Sequence, residues 1–413
     1  MAADVVRHVD LAVPRLATAQ RGLLDRPLAW AALLAVCAFA VYHFSFPDQT
    51  PFDQYVLLAD AFLHGRVDLV DPPYHIEKTT FQGRHYVMNP PFPAIVLLPY
   101  VAIQGQQASQ AAASHVVGAL AAGLMFLLAS RLAPRREDAL WLGALGAFGT
   151  IIWYLSAVGS IWYFAHVVAV AALLVGVLEV TGRKRPVFIG CAVAAAYWTR
   201  MPTILTLPFF VLATLPTWAP GGLRDWRRID VGYLERLLAP VAAVLALNMG
   251  YNYVRFGTIA DIGAAVRPGI YREPWFDRGL FHPSYIPRHL TLLFTKLPVF
   301  VPHPPYALVP WTGLAIWITT PAFVYALRAP AVRETLAAWL GILPAALGLF
   351  MFGNPGVTQF GYRFATDFYP LLLLLTFRGM GGRPSRLAKV LIVAAVIVNT
   401  WGVLGTRWGW QAP

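Results

Sequence analysis

The sequence predicts an all-α, polytopic membrane protein, and two observations carry this prediction. Hydrophobic residues make up 58% of the 413 residues and charged residues only 13%, whereas soluble domains carry about a quarter charged residues. The apolar residues also form long runs, with the basic residues clustered between them. Because a single soluble core stops growing near about 250–300 residues, this much apolar surface needs lipid as its solvent. We therefore expect one integral-membrane domain over residues 1–413.

About eleven apolar runs approach the length of roughly 20 residues that a helix needs to cross a bilayer. The fifth and sixth are short and are separated by Thr199-Arg200-Met201-Pro202, which predicts a hairpin of bent or partial helices because proline removes a helix donor. A single straight pass is the alternative, and it would reverse the side of every later loop. The predicted spans are Leu28–Phe46, Gln110–Leu132, Ala139–Val158, Ile161–Val180, Val187–Trp198, Thr203–Pro216, Leu237–Val254, Tyr306–Leu327, Leu336–Phe352, Ala365–Phe377 and Leu387–Leu404.

Basic clusters choose between these two topologies. With the hairpin counted as two passes, five clusters all face the cytoplasm, as the positive-inside rule requires. The polar stretch before Pro27 carries arginines and no signal-peptide cleavage site, which predicts a cytoplasmic N-terminus. The net charge of +12 then reflects topology, and we expect no nucleic-acid partner. The clusters are Arg131/Arg135/Arg136, Arg183/Lys184/Arg185, Arg224/Arg227/Arg228, Arg328/Arg333 and Arg378/Arg383/Arg386/Lys389, and the N-terminal arginines are Arg7, Arg15, Arg21 and Arg26.

Two long loops, 47–107 and 256–305, and a shorter one, 353–364, fall on the external side in this topology. Loops of this length are usually functional. The first contains two apolar stretches that are too short to span, Tyr55–Phe62 and Phe92–Ile103. We expect both to form interfacial or re-entrant helices.

A metal site or a disulfide framework is not expected. The three histidines of the second loop, His282, His289 and His303, match no compact ligand spacing. The two cysteines, Cys37 and Cys191, lie inside predicted spans and are expected to be buried small hydrophobic residues.

The first external loop holds the strongest candidate for a catalytic base. Asp53 follows the first span closely and begins a predicted interfacial helix, where the helix dipole and backbone N–H groups would fix a carboxylate. Asp60 lies two turns further along the same face and is the second choice. Any other ionisable residue of this loop could have a functional role or could simply keep the loop soluble in water. The candidates for acceptor or sugar binding are His64, Arg66, His85, Tyr86, Gln359 and Tyr362.

Basic residues outside the membrane run against the positive-inside trend. A phosphate or pyrophosphate headgroup would explain them through charge-assisted, forked hydrogen bonds, and the alternative is that long loops escape the charge rule. Arg363 adjoins a predicted span, where ionisable residues are costly and usually functional, although it could simply pair with Asp367 four residues on. The candidates for phosphate binding are Arg255, Arg267, Arg288 and Arg363.

The order of several short segments along the chain resembles one family. These segments are the Asp53-bearing loop, Leu57–Leu69, Gly83–Tyr86, Asn89–Ala94, the break at Ala195–Thr203, Asn252–Gly257, and Gly361–Phe364 with Pro370. Together they touch most of the chain and resemble the integral-membrane GT-C glycosyltransferases, which include protein O-mannosyltransferases, lipid A aminoarabinose transferases and bacterial polyprenyl-phosphate-sugar transferases.

The resemblance implies a GT-C-like fold and a reaction. An aspartate of the first loop deprotonates the acceptor hydroxyl in that family, and a lipid-linked sugar is the donor, which gives Asp53 the role of base. The expected activity is transfer of a sugar from a polyprenyl-phosphate donor to an external lipid, glycan or protein. Gln54 replaces the acidic second residue found in several branches, and no Asp-x-Asp motif occurs, so no cofactor is expected, although a divalent metal stays open. Composition favours a bacterial inner membrane.

Two other classes remain open. A transporter or flippase of lipid-linked or anionic substrates would place ionisable residues near the midplane in paired broken helices. Apart from Arg200, the predicted spans carry little charge while the external loops are rich in it, which favours the transferase. A non-catalytic scaffold is the third class. The sequence does not define the oligomeric state.

Overall fold

The prediction of a helical membrane protein is confirmed by the computed structural model, which describes residues 26–215 and 230–412. Within these residues, five helices are long and apolar enough to cross a bilayer, or six if one bent pair counts as a single span. The chain is therefore an integral membrane protein, and the predicted count of about eleven spans is not confirmed. The helices are α1 Pro27–Ser45, α2 Gln54–Leu63, α3 Phe92–Gln104, α4 Gln110–Leu132, α5 Arg136–Phe148, α6 Ile152–Val158, α7 Ile161–Val180, α8 Pro186–Thr199, α9 Leu207–Leu212, α10 Val231–Phe256, α11 Ile286–Phe294, α12 Ile316–Thr319, α13 Arg333–Phe350, α14 Tyr369–Gly379 and α15 Arg386–Arg407.

The five spanning helices are α1, α4, α7, α10 and α15, and the bent pair is α5 with α6, which meet at 49°. Two predictions fall outside the described residues: the N-terminal arginines Arg7, Arg15 and Arg21, and the basic cluster Arg224/Arg227/Arg228. Short 3-10 helices complete the helical elements at Gly105–Gln107, Met201–Thr206, Ile270–Arg272, Pro283–Tyr285, Pro321–Arg328 and Arg363–Phe368.

Helix α7 lies at the centre of the bundle. It is apolar apart from His166 and Glu179, and 78% of its apolar window is buried inside the protein, as expected for a helix surrounded by other helices. It packs against α4, α6 and α8. In contrast, α1 and α10 bury only 22% of theirs, which is expected of helices that present apolar faces to lipid. Residues that contact α7 therefore lie near the centre of the helical bundle.

Both short apolar stretches of the first loop are helical, as predicted. Helices α2 and α3 pack on each other, and α3 also packs on α7. Tyr55 of α2, Leu97 of α3 and Phe164 of α7 lie in one buried cluster. A hairpin of β1 (Thr79–Phe81) and β2 (Arg84–Tyr86) lies between them. The first loop is therefore a folded unit seated on the end of α7.

The predicted span over Tyr306–Leu327 is wrong as a single helix. This stretch forms strand β4 (Ala307–Pro310), the single turn α12 and the 3-10 helix Pro321–Arg328. Proline at 310 and 321 and a left-handed glycine at 313 (φ +84°) interrupt any continuous helix. Strand β4 pairs antiparallel with β3 (Val299–Phe300) and parallel with β5 (Gln411–Ala412).

The expected break at Arg200 is present, with α8 ending at Thr199 and a 3-10 helix beginning at Met201. The expectation that the cysteines are buried is wrong, because Cys37 on α1 and Cys191 on α8 are both exposed and free. Since lipid tails are as apolar as leucine, an apolar position on a spanning helix faces lipid as readily as it faces protein.

Candidate functional site

Asp53 directly precedes α2, at the start of a helix as predicted. Its side chain makes no capping hydrogen bond to that helix, contrary to the expectation that helix N–H groups hold the carboxylate. The residue is half-buried. Burial raises the pKa of Asp53, and a backbone hydrogen bond and the charge of His75 partly offset this. The carboxylate is thus a stronger base than one in open water.

The backbone beside Asp53 is fixed by two spanning helices. The Ile161 N–H at the start of α7 donates to the Phe52 carbonyl (2.8 Å), and the Gln110 amide of α4 donates to the same carbonyl (3.2 Å). The Phe52 ring packs on Trp162 with ring centroids 4.9 Å apart. The position of Asp53 therefore depends on α4 and α7 together.

Glu77 joins the two long loops, 47–107 and 256–305, at the start of α7. Its carboxylate accepts hydrogen bonds from the Arg267 guanidinium (2.7 Å) of the second loop and from the Trp162 indole (2.8 Å) of α7. Arg267 also pairs with Glu273. Sequence reasoning placed Glu77 among the ionisable residues of the first loop but did not select it, because no local pattern marks a contact with residue 267.

Arg363 is buried, with 7% of its surface exposed. Its guanidinium Nη1 donates to the Val357 carbonyl (3.0 Å) and to Gln359 Oε1 (3.1 Å), and it lies 5.6 Å from the Tyr163 ring centroid. The Gln359 amide in turn donates to the Thr312 carbonyl (2.8 Å). Arg363 and Gln359, both selected from the sequence, therefore lie together against α7.

Asp367 does not serve as the helical partner of Arg363. Its fully buried carboxylate accepts two hydrogen bonds from the Arg200 guanidinium, one of them 3.0 Å from Nη2 to Oδ2. His166 Nδ1 lies 3.4 Å from the same carboxylate and 2.7 Å from the Thr366 hydroxyl. Asp367 and His166 could have been found from the sequence as ionisable residues inside predicted spans.

Tyr362 and Arg288 connect the loops 256–305 and 353–364. The Tyr362 hydroxyl contacts His289 Nδ1 and the other ring nitrogen contacts the Phe352 carbonyl, both at 2.7 Å. Burial lowers the pKa of His289, so the neutral ring donates to the carbonyl and accepts from the hydroxyl. Arg288 donates to the Gly353 carbonyl (3.0 Å). These contacts hold the segment that carries Arg363.

Arg255 is the most enclosed of the predicted phosphate ligands. It is 3% exposed and donates to the Val87 carbonyl (3.0 Å) and Asn252 Oδ1 (2.7 Å). Tyr86 is also buried, with its ring 5.5 Å from that of Phe256. These contacts fasten the end of α10 to the first loop.

Asp60, His64 and His85 lie in separate contacts rather than with Arg363. The Asp60 carboxylate accepts from the Gln106 amide (2.7 Å), and His64 Nδ1 contacts the Asp60 carbonyl (2.8 Å). His85 contacts the Thr80 hydroxyl (3.0 Å) across the hairpin. The structure therefore brings together Gln359, Tyr362 and Arg363. It does not place Asp60, His64 or His85 with them.

Four buried guanidinium nitrogens without a hydrogen-bond partner lie in or next to the long loops 47–107, 256–305 and 353–364. Each buried donor left unpaired costs about 1–3 kcal/mol, so a set of them requires an explanation. Among the described residues of these loops, the one buried unpaired atom that can only accept a hydrogen bond is Gln54 Oε1. The unpaired groups that can donate include Nη1 of Arg66, Nε of Arg255, Arg267 and Arg363, Nε1 of Trp198, and the hydroxyls of Tyr55 and Tyr251; others are neutral groups of Ser114, His115, Ser156, Ser160, His166 and Thr335.

These groups interact electrostatically across several elements. Arg363 interacts with Glu77 and with Arg200, and Tyr55 of α2 interacts with Arg200 and Tyr251. The excess of cationic donors matches a ligand that is anionic and rich in acceptor oxygens.

Asp53 does not line either of two surface cavities formed by the described residues. One, of about 640 Å³, follows the outer face of α10 from Ala243 to Val254. The other, of about 430 Å³, lies between Trp30 and Arg136. Among the described residues, no three side chains of the types His, Cys, Asp and Glu cluster as metal ligands. The candidate site is thus defined by its side-chain contacts.

Comparison with known proteins gives a likeness of fold. No family model matches the chain, and no curated protein matches it. Among solved structures, it is similar to ArnT from Cupriavidus metallidurans bound to undecaprenyl phosphate, with a TM-score of 0.51, 16% identity, and 85% of this chain and 60% of that chain covered. It is also similar to ArnT in the apo state, with a TM-score of 0.49, 17% identity, and 85% of this chain and 59% of that chain covered. A third similar structure is the oligosaccharyltransferase AglB from Archaeoglobus fulgidus in complex with an inhibitory peptide and a dolichol-phosphate. Its TM-score is 0.46 at 13% identity, with 93% of this chain and 56% of that chain covered.

ArnT is a lipid A aminoarabinose transferase and a GT-C glycosyltransferase. The predicted likeness to the GT-C class is therefore confirmed for the fold. At 16% identity it extends to the fold alone, and this chain spans about 60% of the length of the ArnT chain.

We expect Asp367→Asn to lower the free energy of unfolding by about 3–5 kcal/mol, because it leaves the charge of Arg200 without its buried partner. Thermal or denaturant unfolding in detergent micelles measures this. The control is Glu137→Gln, which removes the exposed partner of Lys389 and should change the stability far less, because solvent screens an exposed ion pair. Equal effects of the two substitutions would contradict the structural role of the buried pair.

Proposed function

We propose that the protein is a glycosyltransferase that moves a sugar from a polyprenyl-phosphate-linked donor to a hydroxyl group of an external lipid, glycan or protein acceptor. The observation that carries the proposal is the excess of buried, unpaired cationic donors in or next to the long loops. A phosphate ester supplies the acceptors and the negative charge that these donors lack. A donor with a prenyl tail also accounts for a catalyst embedded in the membrane.

In the proposed reaction, Asp53 accepts the proton of the acceptor hydroxyl as its oxygen bonds to the anomeric carbon. The bond from that carbon to the phosphate oxygen breaks, and its electron pair leaves with the polyprenyl phosphate. The base must lie within hydrogen-bond reach of the hydroxyl, and positive charge must face the phosphate where its charge grows. Asp53 supports the first role because burial raises its pKa.

Arg363 is the proposed principal ligand of the departing phosphate. Two carbonyl-type acceptors hold its Nη1, while its buried Nε has no partner. A guanidinium fixed in this way loses little entropy when it binds an anion. Arg267 supports the same role from the second loop, since Glu77 and Glu273 orient it and leave its Nε unpaired. We place this site on the external side of a bacterial inner membrane.

One observation favours a second candidate, a transporter or flippase of lipid-linked or anionic substrates. Arg200 and Asp367 meet where helices are interrupted, with Asp367 fully buried beside His166, and transporters place ionisable residues at such breaks. The two-point pairing of Arg200 with Asp367 leaves little charge for a substrate, which is why the transferase is preferred. Movement of a polyprenyl-phosphate sugar across vesicle membranes without release of polyprenyl phosphate would favour this second candidate.

Asp53→Asn should lower the transfer rate by about 10²–10⁴-fold, the usual contribution of general acid–base catalysis. The measurement is the release of polyprenyl phosphate from a panel of polyprenyl-phosphate sugars presented with envelope lipids in proteoliposomes. Asp48→Asn, which changes an exposed carboxylate of the same loop, should leave the rate unchanged. Near wild-type transfer by Asp53→Asn would refute the assignment of the base.

The pH profile gives an independent test of the same residue. Because the base must be ionised, activity should fall as the pH drops through the raised pKa of Asp53, so the acid limb of kcat/KM lies above the ordinary aspartate range near about 3.9. His75 lowers that pKa through its charge, so His75→Gln should move the acid limb to higher pH. An acid limb that stays fixed in His75→Gln would argue against Asp53 as the titrating group.

A further inference from the structure

A long stretch of the chain beside the candidate site is nearly free of charge without forming a spanning helix. Between Arg288 and Arg328 the only residue of the types Asp, Glu, Lys and Arg is Lys296. The sequence pattern led to the prediction of a span over its second half. The structure instead folds the stretch as α11, the β3–β4 hairpin, α12 and a 3-10 helix. Its apolar composition therefore needs a different explanation.

The exposed side chains of the first half of this stretch are mainly apolar. Helix α11 turns His289, Leu292 and Leu293 inward, and its outer face exposes Leu290 and Phe294. The chain that follows exposes still more apolar surface in the β3–β4 hairpin. We call these side chains the 290–306 face; they are Leu290 (39% exposed), Phe294 (51%), Leu297 (50%), Val299 (41%), Phe300 (77%) and Tyr306 (60%).

The 290–306 face is attached to the end of a spanning helix. Strand β3 pairs with β4, and β4 pairs with β5, which follows α15 by a few residues. Trp408, at the end of α15, is 57% exposed. Trp317 is 48% exposed, while its indole N–H donates to the Phe294 carbonyl (2.6 Å). Exposed aromatic rings at the end of a spanning helix are typical of the membrane–water interface.

Two physical limits fix the depth of this face. In water, a contiguous patch of large apolar side chains is costly and rare on soluble surfaces. In the hydrocarbon core, the short strand β3 would leave backbone groups of its outer edge without partners, at several kcal/mol each. Only the interface between headgroups and acyl chains hydrates the backbone and covers the side chains. Lys296, which is partly exposed, places a cation where lipid phosphates lie.

We propose that the 290–306 face is a lipid-binding surface that inserts the second external loop into the headgroup–acyl interface of the bilayer. The partner is the lipid surface itself rather than a protein or a second copy of the chain. The opposite side of α11 carries His289, which contacts Tyr362. Tyr362 directly precedes Arg363 in the chain. One nine-residue helix thus links the lipid interface to the candidate site. This proposal does not depend on the proposed activity.

Site-directed spin labelling in vesicles tests the proposal. The background is Cys37→Ala/Cys191→Ala, which removes both exposed free cysteines. Phe300→Cys and, separately, Phe294→Cys are labelled with a nitroxide, and the protein is placed in vesicles of phosphatidylethanolamine and phosphatidylglycerol. Collisions with oxygen, which concentrates in lipid, are compared with collisions with a water-soluble nickel chelate.

The matched controls come from the same chain. Arg272→Cys reports an exposed position of the same loop, and Val36→Cys reports the outer face of α1, where Val36 is 65% exposed. We expect the oxygen-to-nickel collision ratio at 294 and 300 to exceed that at 272 by several-fold and to stay below that at 36. A ratio equal to that at 272 would place the face in water. Exclusion of both reagents would mean that protein covers it. Either result overturns the proposal.

Discussion

Asp367 has no exposed surface, and its carboxylate is shared between the guanidinium of Arg200 and the imidazole of His166. An ionised pair in a membrane interior is stable only while each member keeps its partner. These contacts therefore lock together three elements of the chain: the break after α8, the second turn of α7 and the turn that precedes α14. Because Gln359, Tyr362 and Arg363 lie just before that turn, their positions follow from this buried contact.

From this point the candidate site extends outward through polar contacts. Arg363 lies against α7, and Glu77 receives one hydrogen bond from α7 and one from the second loop. Asp53 is fixed nearby through the backbone of Phe52. Most of the buried groups left unpaired among these elements donate hydrogen bonds, and several are cations. An anionic ligand rich in oxygen is the chemistry that such a site lacks, which is the physical basis of the proposed transferase.

Sequence reasoning succeeded where one local pattern determines the structure. The lengths of Tyr55–Phe62 and Phe92–Ile103 were enough to predict α2 and α3, and proline at 202 was enough to predict the break at Arg200. It failed for Tyr306–Leu327, because an apolar run alone does not distinguish a spanning helix from irregular structure. Sequence reasoning also could not pair Arg200 with Asp367, which are 167 residues apart. Whether Arg363 pairs with Asp367 or is free to bind a ligand therefore stayed open until the fold was known. The exposure of Cys37 shows the same limit, since apolarity does not separate lipid from protein as a neighbour.

Binding of polyprenyl phosphate, compared with the neutral polyprenol of the same chain length, tests the central claim most directly. Native mass spectrometry of the wild-type protein and of Arg363→Gln, released from identical micelles, reports both ligands. The account predicts that the wild-type protein binds the phosphate in clear preference to the alcohol and that Arg363→Gln loses this preference while still binding the alcohol. Equal binding of phosphate and alcohol by the wild-type protein would contradict the account.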